Sequence, residues 1–245
     1  YDFLKNELHI NDIITNDRKV IYPKEIDIYI PLQNIAIEIN GLYWHGENFK
    51  HKSYHIEKTL KLNDKNIRCI HIFEDEWYNK KEIIKSKLAH ILHRSTSEKI
   101  YARKCSIKEI PSKEKSLFLK NNHIQGNDKS FYNVGAYYNG VLVSVMTFCK
   151  PRMILGYSSS SKFIELSRFC TDINLSVTGI GSKLFKYVKN NLKFDECITY
   201  ADLRFSNLNE NLYNRLNFKK ISITKPNYFW CKNNQIFYRY TFNKQ

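Results

Sequence analysis

Two carboxylates stand inside runs of isoleucine near the start of the 245-residue chain. Asp27 lies in Glu25-Ile26-Asp27-Ile28-Tyr29-Ile30, and Glu38 in Ile35-Ala36-Ile37-Glu38-Ile39-Asn40-Gly41. Both runs read as β-strands, where a carboxylate is costly unless it is exposed or partnered. Period-two geometry puts Glu38 and Asn40 on one face and the isoleucines on the other. If the strands pair across the Leu32-Gln33-Asn34 loop, Asp27 and Glu38 converge on one cation. Two hard oxygen ligands suit Mg²⁺ (or Mn²⁺), which takes its remaining ligands from water and phosphate. The alternative is an amphipathic hairpin with its polar residues in solvent. His45 follows closely, and an imidazole titrating near neutrality can take a proton from water. His51, His55 and Lys58 fall at helical spacing and share a face. That face meets a phosphate or a metal-bound water, or is simply solvated.

The elements that must position these residues are legible from periodicity. Residues 1–14 show helical spacing at Phe3, Leu4 and Leu8, and 19–22 read as a short strand. Strands over 25–30 and 35–39 follow, then a helix over 49–63, a strand over 67–73 and a helix over 80–93. The last helix carries Ile83, Ile84, Leu88, Ile91 and Leu92 as its apolar stripe. Together they make an α/β unit. Ser95-Thr96-Ser97 reads as a linker, which predicts domains of 1–97 and 98–245. The second has strands over 100–105, 133–138, 141–149, 163–170 and 197–202, and helices over 111–121, 182–191 and 209–216. Further strands end the chain. Asn139-Gly140 is a hairpin-turn signal, and the pattern is α+β.

Charge separates the two parts. The chain carries +15, yet residues 1–100 hold 16 Lys+Arg against 15 Asp+Glu, and residues 101–245 hold 23 against 9. A basic surface of that size attracts a polyanion, and double-stranded DNA is the expected partner. No apolar run approaches the roughly 18 residues of a membrane span, so no membrane is expected. The six cysteines form no C-x-x-C pair, which disfavours zinc, and read as reduced thiols of a cytoplasmic protein.

Asp27, Glu38 and Asn40 give D-x₁₀-E-x-N, which resembles the PD-(D/E)xK nuclease superfamily, with Asn40 where that superfamily usually has Lys. Asn40-Gly41-Leu42-Tyr43-Trp44-His45-Gly46-Glu47 resembles the Gly-x-x-Trp-His stretch of very-short-patch repair endonucleases, and more closely the phage homing endonucleases of that fold. The resemblance covers roughly residues 1–95. It implies a mixed sheet flanked by helices, and a phage-infected or bacterial cell as the setting. Asp27 matches the metal-binding aspartate, His45 the proposed general base and Trp44 the aromatic beside it, whereas Glu38 matches only the wider superfamily. Asn40, His51, His55 and Glu74, the last in Ile70-His71-Ile72-Phe73-Glu74, are supporting candidates. The implied reaction is DNA hydrolysis: Asp27 and Glu38 hold a Lewis-acidic metal, His45 activates water, and Lys58 or His55 balances charge on the phosphate.

In the second part, Asn122-His123-Ile124-Gln125-Gly126, Glu165-Leu166-Ser167-Arg168-Phe169 and Thr199-Tyr200-Ala201-Asp202 resemble the GNAT acyltransferases, and more closely their Mom DNA-modification branch. Thr199 stands where Ser is usual, and Ser176 where an Arg or Gln opens the GNAT pyrophosphate motif. Gly179 and Gly181 begin a helix where that fold binds acetyl-CoA, and such a turn offers N–H groups to an anion. DNA binding for the nuclease is the first expectation here, with Arg168, Lys183, Lys186, Arg204, Lys225 and Trp230 as contacts. An acyl cofactor and DNA modification form the lesser expectation, and a scaffold without chemistry is the third.

Overall fold

The computed structural model describes residues 1–41, 54–151, 162–206, 211–224, 230–232 and 235–237, the last two stretches by their backbone alone. The chain divides into two compact units, Tyr1–Arg94 with Ile221–Gln245, and Ser95–Lys220. The segment from Ile221, read from sequence with the second domain, is thus grouped with the first. Among the described residues no helix is long and apolar enough to cross a membrane.

The first unit is built on β1 (Ile14–Asp17), β2 (Ile26–Ile30), β3 (Ile35–Asn40) and β4 (Arg68–Phe73), in that spatial order. β1, β2 and β3 are antiparallel, and β4 lies parallel to β3. A parallel neighbour needs a crossover, and α1 (Tyr54–Asn63) lies within it. The tight β2–β3 link works because Asn34 adopts a left-handed conformation (φ 52°), which asparagine tolerates. Two sequence expectations differ. Residues 19–22 form a turn, since the Asp17 carboxylate accepts the N–H groups of Lys19 and Val20 at 3.1 and 2.9 Å. The helix expected at the start is one turn, Phe3–Glu7, before β1 begins. After β4 come α2 (Glu74–Asn79) and α3 (Lys81–Ile91), the latter burying Ile83, Ile84 and Leu88.

The second unit opens with β5 (Glu98–Tyr101), β6 (Ser106–Glu109) and α4 (Ser112–Asn122). Then come β7 (Tyr132–Tyr138), β8 (Val141–Cys149) and β9 (Phe163–Thr171), followed by β10 (Leu175–Thr178), α5 (Ile180–Asn191), β11 (Glu196–Thr199) and α6 (Leu212–Arg215). Five strands form one sheet in the order β11-β9-β8-β7-β6, and β10 pairs in parallel with β5. The β7–β8 hairpin turns at Asn139 and Gly140, both at positive φ (50° and 80°), as the dipeptide predicts. The sheet is buried on both sides. Phe148, Met146, Ile164 and Leu166 pack with Leu184, Phe185 and Val188 of α5. Val145 packs with Phe118 and Leu119 of α4. β12 (Trp230–Lys232) and β13 (Gln235–Phe237) form an antiparallel pair in the chain's last segment.

Candidate functional site

The first unit gathers its polar residues on β3, β4 and α1. Ile28 pairs with Ile37, so one further step along the register sets Asp27 beside Glu38. The Ile39 N–H donates to Asp27 Oδ2 at 2.7 Å. Glu38 and Asn40 are buried rather than solvated, at 4% and 1% exposure, with β4 paired beside β3 and α1 bringing Lys58 onto Glu38. Lys58 of α1, also buried, donates from Nζ to Glu38 Oε2. Glu38 Oε1 is buried with no hydrogen-bond partner among the described residues. Burial, and then the Asp27 carboxylate, push the Glu38 pKa above its ordinary value, against the pull of Lys58. His71 is hydrogen-bonded to Asn40 Nδ2 (3.1 Å) and Thr59 Oγ1 (2.9 Å), and the His55 ring meets it edge-on at 5.3 Å. Glu74 stands at the first position of α2, where a carboxylate complements the helix dipole. Trp44, His45 and His51 lie outside the described residues.

In the second unit, the decisive geometry is where two strands separate. β9 and β11 run in parallel from Phe163 and Glu196 to Leu166 and Thr199, and there β11 ends while β9 continues to Thr171. Thr199 Oγ1 donates to Leu166 O (3.1 Å) at the parting point. The next residue, Ser167, is a bulge: Thr147 of β8 pairs with Arg168 and Phe148 with Leu166, leaving Ser167 unpaired. Beyond it, the β9 edge that faced β11 offers backbone donors and acceptors of the kind an extended ligand takes up. α5 connects the two parallel strands and starts after Gly179, left-handed at φ 81°, with no side chain capping it. Gly181 permits a close approach, since a Cβ there would stand 2.6 Å from Leu212 Cδ1. Burial, the largest influence on Tyr213 of α6, raises its pKa, against the pull of Thr199.

Of the cationic candidates, Arg168 donates to Ser167 O (2.8 Å) and Gly126 O (3.4 Å). Lys183 donates to the Ala102 and Cys105 carbonyls at 2.9 and 2.5 Å. Arg204 grips Asp202, the shortest contact being 2.7 Å. Lys186 is exposed, while Lys225 and the Trp230 side chain lie outside the described residues. Sequence reasoning missed Tyr213 and the Asp128 network described below, because their partners come from distant strands and helices.

No family model matches the chain, and no curated protein matches it. Solved structures do. A ribosomal-protein-alanine N-acetyltransferase from Brucella melitensis biovar Abortus 2308 is 13% identical, with 51% of this chain and 99% of that one covered and a TM-score of 0.36. An aminoglycoside acetyltransferase from an uncultured soil metagenomic sample is 14% identical over 54% and 98%, at 0.34. A possible acetyltransferase from Clostridium difficile 630 is 13% identical over 52% and 99%, at 0.33. The expectation of a Mg²⁺-dependent DNA endonuclease of the phage homing type, a hydrolase, is therefore corrected. These neighbours are acetyltransferases. Among the described residues, moreover, no three His, Cys, Asp or Glu side chains are grouped to hold a metal. Asp27 and Glu38 do meet, but Lys58 already occupies one Glu38 oxygen. The ranking of Mg²⁺ ahead of acetyl-CoA is corrected with that expectation.

Proposed function

We propose that the second unit transfers an acyl group from a coenzyme A thioester to DNA. The observation that carries this is the parting of β9 and β11 at Leu166 and Thr199, with a bulge on one strand and an uncapped helix start nearby. The residues fit such a donor. The first-turn N–H groups of a helix have no intrahelical acceptor and attract phosphate. Gly179 supplies no side chain that would compete for them. The β9 edge beyond Leu166 accepts an extended, amide-bearing arm by strand-like pairing. The thioester supplies an acyl carbon activated toward an amine or hydroxyl.

The chain's own groups then have assignable work. N–H groups at the Ser167 bulge orient the acyl carbonyl. The Tyr213 hydroxyl, whose raised pKa keeps it protonated at neutral pH, gives a proton to the leaving sulfur as the C–S bond breaks, and the proton released by the attacking amine or hydroxyl passes to solvent and restores the phenol. The excess of 20 Lys+Arg over 10 Asp+Glu in residues 95–220 draws the DNA in. Calorimetric titration with acetyl-CoA tests the donor, and mass spectrometry of nucleosides digested from treated plasmid tests the acceptor. Absence of acetyl-CoA binding overturns the reading.

For the first unit we propose a relic of the PD-(D/E)xK fold. The antiparallel β1–β2–β3 order followed by parallel β4 supports it, as does the meeting of Asp27, Glu38 and Lys58. In this reading the Glu38–Lys58 pair is a buried internal contact.

A further inference from the structure

The second unit contains a buried carboxylate that side chains of α4, β8 and β9 converge on. Asp128 lies in the turn between α4 and β7. Its Oδ1 accepts from Lys115 Nζ of α4 at 3.0 Å and from Ser130 Oγ at 2.8 Å. Its Oδ2 accepts from Thr147 Oγ1 of β8 at 2.6 Å, and Cys149 Sγ stands 3.8 Å away. Ser167 of β9 adds to the pull that lowers its pKa. The Lys115 and Asp128 side chains are 3% and 4% exposed. Burial opposes the charge, but Thr147, Lys115, Ser130 and Ser167 together outweigh it and hold the Asp128 pKa down to about 2. So acidic a group is a poor proton acceptor near neutrality, and its role is geometric.

That geometry falls on the parting point. Thr147 pairs across the ladder with Arg168, and Ser167 is the residue that the ladder skips. Asp128 therefore holds Thr147 opposite the bulge, and the bulged Ser167 contributes to the pull on its carboxylate. The same turn reaches Arg168 a second time, through Gly126 O. Arg168 in turn bonds Ser167 O (2.8 Å) and Oγ (3.4 Å). We infer that Asp128 is a positioning residue of the transfer site: its carboxylate fixes the bulged Ser167, and through it Arg168, where β9 and β11 part. The inference rests on the acyl-transfer reading given above. A bulge held only by strand pairing has an unpaired residue free to slip. A displacement of about 1 Å at a reacting centre lowers turnover by about a hundredfold.

The test uses the full chain, acetyl-CoA and plasmid DNA. D128N alone leaves Lys115 buried without its counter-charge, so D128N/K115M removes both charges together, and S167A leaves the ion pair untouched. The expected result is wild-type-like melting for D128N/K115M and S167A, a KM for acetyl-CoA within about twofold, and a kcat lower by about tenfold or more. Amide exchange at residues 166–169 is expected to quicken in both, whatever substrate is present. D128E, which keeps the carboxylate, is expected to recover part of kcat. A normally melting D128N/K115M with kcat within about twofold of wild type overturns the assignment and makes Asp128 a fold contact alone. Unchanged exchange at 166–169 does the same. A wild type that binds no acetyl-CoA removes the acyl-transfer reading itself, and exchange then reports separately on whether the clamp exists.

Discussion

Lys58 of α1 and Glu38 of β3 form an ion pair with side chains only 3% and 5% exposed. Both charges have left water, and their pairing offsets that cost only while both are present. K58M is therefore expected to lower stability by about 3–5 kcal/mol. E38L/K58M, which removes both charges, is expected to return most of it. Urea denaturation of the two variants checks this, and equal losses in both would refute the buried-pair account.

The pH dependence of stability should carry two opposite signatures. The Glu38 pKa is raised above 4.5 by burial and by Asp27, so the folded state binds its proton more tightly than the unfolded chain. Its contribution is fully present below about 4.5 and is lost as pH rises through the raised value. Asp128 is held down from 3.8 to about 2. Its contribution is present above about 3.8 and is lost as pH falls toward about 2. Melting curves against pH should lose the first slope in E38L/K58M and the second in D128N/K115M. Retention of either slope contradicts its assignment.

Gly179 precedes α5 at φ 81°, a conformation costing other L-residues about 1–2 kcal/mol. G179A is expected to destabilise by about that amount, and, by tilting the first turn of α5, to weaken acetyl-CoA binding. Thermal melting read alongside calorimetry separates the two effects. Unchanged affinity in a folded G179A would remove the α5 start from the donor site.

Y213F deletes a hydroxyl and little else. If that hydroxyl protonates the leaving sulfur, kcat should fall by about a hundredfold or more, with the Kd for acetyl-CoA unchanged. The high-pH limb of the kcat profile should also disappear. A drop in kcat that leaves the limb in place would assign Tyr213 to packing against Phe218, whose ring centroid lies 6.1 Å away.

Much of the local structure is written in local pattern. Alternating isoleucines made β2 and β3 readable, Asn139-Gly140 marked its hairpin, and the stripe at Ile83, Ile84 and Leu88 marked α3. The proximity of Asp27 and Glu38 was also legible, since a short loop between alternating strands leaves few registers. Their environment was not. Whether Glu38 meets solvent, a cation or Lys58 depends on β4 and α1 closing over β3, and Lys58 itself lies 20 residues away.

The second unit shows the same division. Its strands, helices, glycines and net charge follow from composition and spacing, which are properties of neighbours in the chain. The separation of β9 from β11, the bulge at Ser167, the approach of Tyr213 to Thr199 and the convergence on Asp128 belong to the tertiary structure. Asp128 takes hydrogen bonds from Lys115, 13 residues away, and from Thr147, 19 residues away. Nothing in Gly126-Asn127-Asp128-Lys129-Ser130 distinguishes it from a solvated turn. Burial turns that turn into a cluster, because a carboxylate withdrawn from water must be met by every donor the fold can bring to it.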